Sequence, residues 1–120
     1  MLQPSDNIDA IQASLLRALA SPHRLRIVHE LGHGPCEVNE LAHRLGISQT
    51  SASQHLSAMR SVGLVEPHRD GRIVRYRLSD DEILAACELV REVLLRRLSR
   101  LGDLAAAVGY PLDATAVQAR

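Results

Sequence analysis

Apolar residues recur at helical spacing at the start of the chain, and this pattern predicts two helices before residue 33. The first helix has its apolar positions between Ile8 and Leu19, with Asp6 or Asn7 as its N-cap. The second begins after Ser21, a favoured N-cap residue, and has Pro22 at its first position. The residues expected to face the core from this helix are Leu25, Val28 and Leu31.

Two shorter apolar patterns follow, with a glycine between them, and they predict a third and a fourth helix. Gly46 ends the third helix; Ser48 caps the fourth, which runs to about Ser61 before Gly63 ends it. Two helices joined by so short a link are typical of a helix-turn-helix. The buried positions that we expect are Val38, Leu41, Ala42 and Leu45 on the third helix, and Ala52, Leu56 and Met59 on the fourth.

The apolar period changes after residue 64, and the new pattern predicts a β-hairpin. Asp70-Gly71 lies between two extended runs, and this dipeptide favours a type I′ turn, in which both central residues have positive φ. Pro67 lacks a backbone N–H for the strand ladder, so we expect it at an edge. Apolar contacts are expected from Val65, Ile73, Val74, Tyr76 and Leu78.

The last predicted element is one long helix that follows Ser79 and extends to residue 108. Ser79 is its expected N-cap, and Asp80, Asp81 and Glu82 suit the positive end of the helix dipole. Its apolar residues cover more than one stripe. We therefore expect this helix to bury apolar surface against something besides its own core.

Composition limits how much core one chain can build. The chain has 120 residues, only 2% of them aromatic, so the core consists of Leu, Ile, Val and Ala, and association with a second copy would add buried surface. Two cysteines do not make a disulfide framework. The sequence has no signal-peptide pattern and no apolar run as long as a membrane span, so we expect a cytoplasmic protein without a membrane partner.

Positive charge is concentrated in one part of the chain, although the formal net charge is zero. The segment from Arg44 to Arg77 holds six arginines against Glu66 and Asp70, a local balance of +4. A basic zone on one face suits a polyanionic partner. Taken alone, the uneven charge can also be explained as a solvated surface on which charges are unevenly distributed.

The fourth helix is rich in short hydrogen-bonding side chains, where a plain surface helix would more often carry Glu, Lys or Arg. Gln can read adenine through two hydrogen bonds, and Ser and Thr adapt to bases or phosphates. The hairpin adds two arginines at its tip. We predict that double-stranded DNA is bound by Ser48, Gln49, Thr50, Ser51, Ser53, Gln54, His55, Arg69 and Arg72.

Three blocks resemble the ArsR/SmtB-type winged-helix repressors of bacteria: "ALASPHRLRIVHEL", "VNELAHRLGISQTSASQHLSAMRSVGLV" and "RDGRIVRYRLSD". The resemblance covers Leu19 to Leu98 and implies a mainly α winged helix-turn-helix, with about five helices and a two-stranded wing. It also implies a homodimer joined by the first and last helices, on a near-palindromic operator. The interface residues that we expect are Ile11, Leu15, Leu94, Leu98 and Leu101.

We accordingly expect residues 1–108 to form a single domain for DNA binding and dimerisation, and residues 109–120 to form a flexible C-terminal tail. The resemblance further implies an inducer, often a metal ion or a thiol oxidant. The signal can also enter through a partner protein that senses the effector.

The metal-ligand patterns of the resembled family are broken in this chain. Where its metal sensors carry a Cys-x-Cys pair, the matching positions are Glu37 and Asn39. A second pattern, on the last helices, begins with acidic residues that match Asp80 and Glu82, but its other half falls near Val93 and Arg96, which cannot bind a cation. We expect that no cofactor is required for DNA binding.

Separate candidates for a zinc or nickel effector are His29, His33 and Cys36, because imidazole and thiolate suit these ions. The two histidines are also explained as surface residues near a helix C-terminus. A thiol switch that uses Cys36 and Cys87 is a further option, with Cys87 as a small buried residue the simpler explanation.

Two other classes of function compete with a DNA-binding regulator. A winged-helix protein-interaction module that does not bind DNA is the alternative, and the polar fourth helix and the local basic charge argue against it. An enzyme is not expected, because the sequence has no nucleophile–base constellation, phosphate loop or paired-carboxylate motif.

Overall fold

The structure, a computed structural model, describes residues 4–108, with side chains for residues 7–103. The predicted tail, residues 109–120, lies outside the described residues. The elements, in chain order, are α1 (Pro4–Leu19), α2 (Pro22–Gly32), β1 (Cys36–Glu37), α3 (Val38–Leu45), α4 (Gln49–Ser61), β2 (Val65–Asp70), β3 (Ile73–Leu78) and α5 (Glu82–Val108). The predicted fold class, five helices with a winged hairpin, is confirmed.

The chain divides into two compact units, an N-terminal unit (Met1–Leu84) and a C-terminal unit (Ala85–Arg120). The N-terminal unit holds α1 to α4 and all three strands; the C-terminal unit holds α5 from Ala85 onward. None of the described helices combines the length and hydropathy that a membrane crossing requires. The assignment of residues 1–108 to a single domain stays a prediction.

The core of the N-terminal unit is built from helix faces and strand ends that the periodicity largely predicted. Leu41, Ala42 and Leu45 of α3 are buried, and Val38 is half-buried. On α2 the prediction was partly wrong, since Leu25 is 40% exposed. At about 100° of rotation per residue, Leu25 falls outside the arc that holds the residues actually buried there, Ile27, Val28 and Leu31.

The sheet has three antiparallel strands in the order β1-β3-β2, one more than predicted. The additional strand is short and pairs Cys36 with Tyr76 and Glu37 with Arg75. Two residues are too few to show alternation, so the pattern could not reveal β1. Pro67 lies on β2, an edge strand, as predicted.

The hairpin turn differs from the predicted type I′. Asp70 pairs with Ile73, so Gly71 and Arg72 are the central residues. Gly71 has φ +64°, whereas Arg72 does not have a positive φ. Positive φ at the first central residue alone is the pattern of a type II′ turn, and it places glycine there. Ile73 beside the turn is 40% exposed, not in the apolar cluster that we expected.

Two predicted helix caps were also wrong. The Ser79 hydroxyl donates to the carbonyls of Gly63 and Leu64, so it ties β3 to the start of β2 and does not cap α5. The backbone N–H of Glu82 donates to Asp80 Oδ1 at 2.9 Å, so Asp80 supplies the cap. At the other end of the chain, α1 already begins at Pro4, which places Asp6 and Asn7 inside the helix.

Candidate nucleic-acid interface

A tight turn joins α3 to α4, and local hydrogen bonds define it. Gly46 ends α3 in the left-handed conformation, with φ +69°, and Ile47 N–H donates to Ala42 O at 3.0 Å. Ser48 then begins α4 as N-cap, because its Oγ accepts from Ser51 N–H at 3.0 Å. The predicted helix-turn-helix is therefore present, and the Ser48 hydroxyl is already engaged in the cap.

The two sides of α4 differ in exposure. Its inner side carries Ala52, Leu56 and Met59, each 0% exposed. At about 100° per residue, the exposed polar residues collect on the other side, within an arc of about 140°. Six of these residues form the polar face: Gln49, Thr50, Ser53, Gln54, Ser57 and Arg60. Ser61, the last residue of α4, also lies in the arc, but its hydroxyl donates to the Ala58 carbonyl of the same helix.

The polar face contains four predicted DNA-binding residues and two that the sequence analysis missed, Ser57 and Arg60. Both lie at helical spacing from residues that were identified, since Ser57 follows Ser53 by four positions and Arg60 follows Ser57 by three. Periodicity could therefore have found them. Ser51, in contrast, is half-buried and lies outside the arc.

The β-hairpin formed by β2 and β3, here called the wing, carries several exposed arginines. Arg69 and Arg72 are exposed close to its tip, as predicted. Arg75 pairs with His68 across the ladder, and both side chains are exposed. Arg77 lies two residues further along and is exposed too, but its guanidinium contacts Glu66 at 2.9 Å. Arg75 is thus a further cation on the wing that sequence analysis did not select.

Ion pairs reduce the number of arginines that contribute net positive charge to the predicted basic zone. Arg44 contacts Glu30 at 3.3 Å and also pairs with Glu40, so its charge is balanced locally. Arg77 is balanced by Glu66. Among the described side chains, none of the remaining four arginines of the zone is in an ion pair. These four arginines lie on α4 and the wing and carry the net positive charge of the basic zone: Arg60, Arg69, Arg72 and Arg75.

His55 lies apart from the polar face, at the junction of α4 with α2. Its ring is half-buried, its Nδ1 accepts a hydrogen bond from Arg24 Nε at 3.0 Å, and its centroid lies 5.6 Å from that of His23. Burial, then the positive charge of Arg24, then His23 hold the pKa of His55 below its usual value. His55 was predicted to bind DNA, whereas in the structure its ring lies in a contact between helices.

Comparison with known proteins identifies the fold and the family. A helix-turn-helix domain model matches residues 19–68. The HTH-type transcriptional regulator CmtR of Mycobacterium tuberculosis is 46% identical over 83 residues, 68% of this chain and 70% of CmtR. The HTH-type transcriptional repressor SmtB of the same species is 41% identical over 80 residues, 67% of this chain and 58% of SmtB.

A solved structure agrees with these relatives. It is a homodimeric winged helix-turn-helix DNA-binding domain from Mycobacterium bovis, named as a possible ArsR-family transcriptional regulator. It superimposes with a TM-score of 0.76 at 30% identity, covering 83% of this chain and 93% of that one. The chain belongs to the ArsR/SmtB family. This ArsR/SmtB protein is therefore a transcriptional regulator, and the polar face lies on the second helix of its helix-turn-helix.

The candidate metal ligands of this ArsR/SmtB protein do not come together. Among the described residues, no three His, Cys, Asp or Glu side chains are grouped so that they could hold a metal ion. His33 Nδ1 lies 2.7 Å from the backbone carbonyl of His29. Cys36 is 1% exposed, and burial followed by the charge of Glu40 raises the pKa of its thiol. A thiol that keeps its proton is a poor ligand and a poor nucleophile.

Proposed function

We propose that this protein binds a near-palindromic DNA operator as a homodimer, in the cytoplasm, and that the polar face of α4 reads base edges there. The observation that carries the proposal is the two-sided α4. Its inner side is completely buried, while its outer side presents amides and hydroxyls. The neighbouring wing carries Arg69, Arg72 and Arg75, which are exposed and form no ion pair with the described side chains. Such a helix fits the major groove, and its side chains are suited to bases and phosphates.

The roles of the two parts differ. Gln49 and Gln54 have the donor and acceptor pair that discriminates adenine, so they are assigned to base readout. Arg69 and Arg72, at the wing tip, are assigned to the phosphate backbone, where they add affinity without sequence preference. Arg60 and Arg75 extend the positive surface and support the same backbone role.

The homodimer is supported by exposed apolar side chains on α1 and, separately, on α5. On α1, Ile11 is 64% exposed and Leu15 is half-buried. On α5, Leu94 and Leu101 are each 53% exposed and Leu98 is half-buried. The mycobacterial structure that resembles this chain is homodimeric. We propose that a second copy covers these residues, which brings two α4 helices to the two halves of one operator.

For the regulatory signal, we propose metal or thiol stress, sensed directly or through a partner protein. A metal, zinc and nickel included, is not required for DNA binding in this proposal. The basis for this metal independence is the poor fit of the available ligands: His29, His33 and Cys36 are not grouped, and burial raises the pKa of the Cys36 thiol.

The test of base readout compares two substitutions by equilibrium DNA binding, with the promoter region of the protein's own gene and a shuffled duplex. Gln54→Ala should reduce the free-energy difference between specific and non-specific binding by about 1–3 kcal/mol per contacted base pair. Arg72→Ala should weaken binding to both duplexes alike and reduce the salt slope by about one.

Asn39→Ala is the matched control, since Asn39 is an exposed amide on α3 outside the polar face. It should leave the specificity ratio unchanged. If Gln54→Ala also left that ratio unchanged, its assignment to base readout would be wrong.

A further inference from the structure

Arg24 connects three helices through its guanidinium. Its Nη1 donates to Ala18 O at the end of α1, at 3.2 Å, and its Nε donates to His55 Nδ1 in the middle of α4, at 3.0 Å. Its own helix, α2, begins at this point, because Ser21 Oγ accepts the Arg24 backbone N–H. Arg24 also lies on the buried arc of α2, in line with Ile27 and Leu31.

The Arg24–His55 bond decides where the imidazole carries its proton. A guanidinium only donates hydrogen bonds, so His55 Nδ1 must be an unprotonated acceptor. A ring with a free Nδ1 lone pair is neutral and has its single proton on Nε2. Every buried side-chain nitrogen among the described residues has a hydrogen-bond partner. The ring of His55 is bonded within the protein through Nδ1. Its Nε2 therefore lies where solvent reaches it.

We propose that Arg24 is a positioning residue for DNA binding: through neutral, Nε2-protonated His55, it holds α4 in the orientation that presents the polar face. This inference rests on the proposed DNA-binding function. Protonation of Nδ1 removes the acceptor and places an imidazolium against the guanidinium. The contact is therefore an acid-sensitive lock on the helix whose outer side meets DNA.

The charged groups around His55 all favour its neutral form. Arg24 and His23, both from α2, are the charged or titratable groups that act on the ring. The described parts of α1, α3 and β2 also pack against α4 and add no titratable side chain to this set. In particular, no carboxylate in these parts stabilises an imidazolium.

The direction of the pH effect follows from the lowered pKa of His55. The native state binds this proton less readily than the unfolded chain, whose histidine titrates near about 6.5. The contribution of the lock to stability is fully present above that unfolded value, and it is lost as pH falls through the lower folded value. Specific DNA affinity should fall along with it, whereas histidines that merely gain charge would strengthen DNA binding.

The experiment has two arms, both on the whole 120-residue chain. Long-range ¹⁵N–¹H correlation spectra of the imidazole at pH 7 should show His55 protonated at Nε2 and unprotonated at Nδ1. Operator affinity, measured from pH 8 to pH 5 at constant ionic strength, should be flat above about pH 6.5 and fall below it, by less than about tenfold per pH unit because a single proton is taken up.

Two substitutions at one position separate positioning from simple packing. In His55→Asn, the amide oxygen stands close to the position of Nδ1 and can still accept from Arg24, but it does not titrate. It should bind operator at pH 7 within about threefold of the wild type and lack the acid loss. His55→Ala has the better helix former but no acceptor, and should bind about tenfold more weakly at every pH.

Substitutions on α2 provide a spectroscopic check. Arg24→Met should raise the pKa of His55, and His23→Gln should raise it less, because Arg24 is the stronger of the two influences. Protonation of Nδ1 at pH 7, or an acid loss that persists in His55→Asn, overturns the proposal. Absence of specific DNA binding by the wild type at pH 7.5 would instead overturn the proposed function and leave the spectra as the test of the lock.

Discussion

At the scale of single residues, Gly46 has the clearest conformational role. It ends α3 with φ +69°, and a Cβ added there would meet nothing within 4 Å. Gly46→Ala should therefore destabilise the protein by left-handed backbone strain alone, by about 1–2 kcal/mol, measured by urea denaturation. Gly46→Asn, which tolerates this conformation better, is the control and should cost less. Equal stability of Gly46→Ala and wild type would contradict this account of the turn.

Residue contacts were predictable only where local periodicity determines them. The buried residues Ala52, Leu56 and Met59 follow from spacing within one helix, and the structure confirms all three. The bond between Arg24 and His55 joins residues 31 positions apart, so no local pattern contains it. The same reason explains why the pairing of Arg44 with Glu30 was missed, and with it the true extent of the basic surface.

At the scale of elements, helices were predicted more accurately than strand details and caps. The limits of α3 and α4 followed from a glycine and an N-cap serine, whose preferences act within a few residues. The strand β1 exists because Cys36 and Glu37 pair with a strand far along the chain. Ser79 was misassigned because its hydroxyl has better acceptors in the Gly63 and Leu64 carbonyls, which only the folded chain brings near.

The exposed apolar side chains of α5 lead to a prediction about assembly. Sedimentation at micromolar concentration should give about twice the chain mass for the wild type. Leu94→Gln should shift the protein towards monomer, because burying one leucine side chain in the interface contributes about 1.5–3 kcal/mol to association and glutamine does not supply it. Leu25→Gln is the control, since Leu25 is 40% exposed on α2 and is not assigned to the interface. A monomeric wild type, or equal effects of both substitutions, would rule out this interface.

At the scale of the whole molecule, function depends on an uneven distribution of charge and polarity in a chain of zero formal net charge. The arginine-rich segment of the sequence indicated this unevenness. Only the ion pairs of the structure show which arginines keep a net charge. Arg44 and Arg77 are balanced by carboxylates, whereas, within the described residues, no ion pair includes Arg60, Arg69, Arg72 or Arg75. Unpaired cations on α4 and the wing, beside hydrogen-bonding side chains, are what a DNA-binding surface needs.

The central claim is that the folded protein binds a specific DNA sequence through α4 without a metal. The most direct measurement is the affinity of chelator-treated wild type for its own promoter region and for a shuffled duplex, at pH 7.5 and one fixed salt concentration. We expect the promoter to be bound at least about a thousandfold more tightly. Equal affinity for the two duplexes, both with the chelator and after zinc or nickel is restored, would contradict the DNA-binding claim. Specific binding that appears only with a restored metal would contradict metal independence alone.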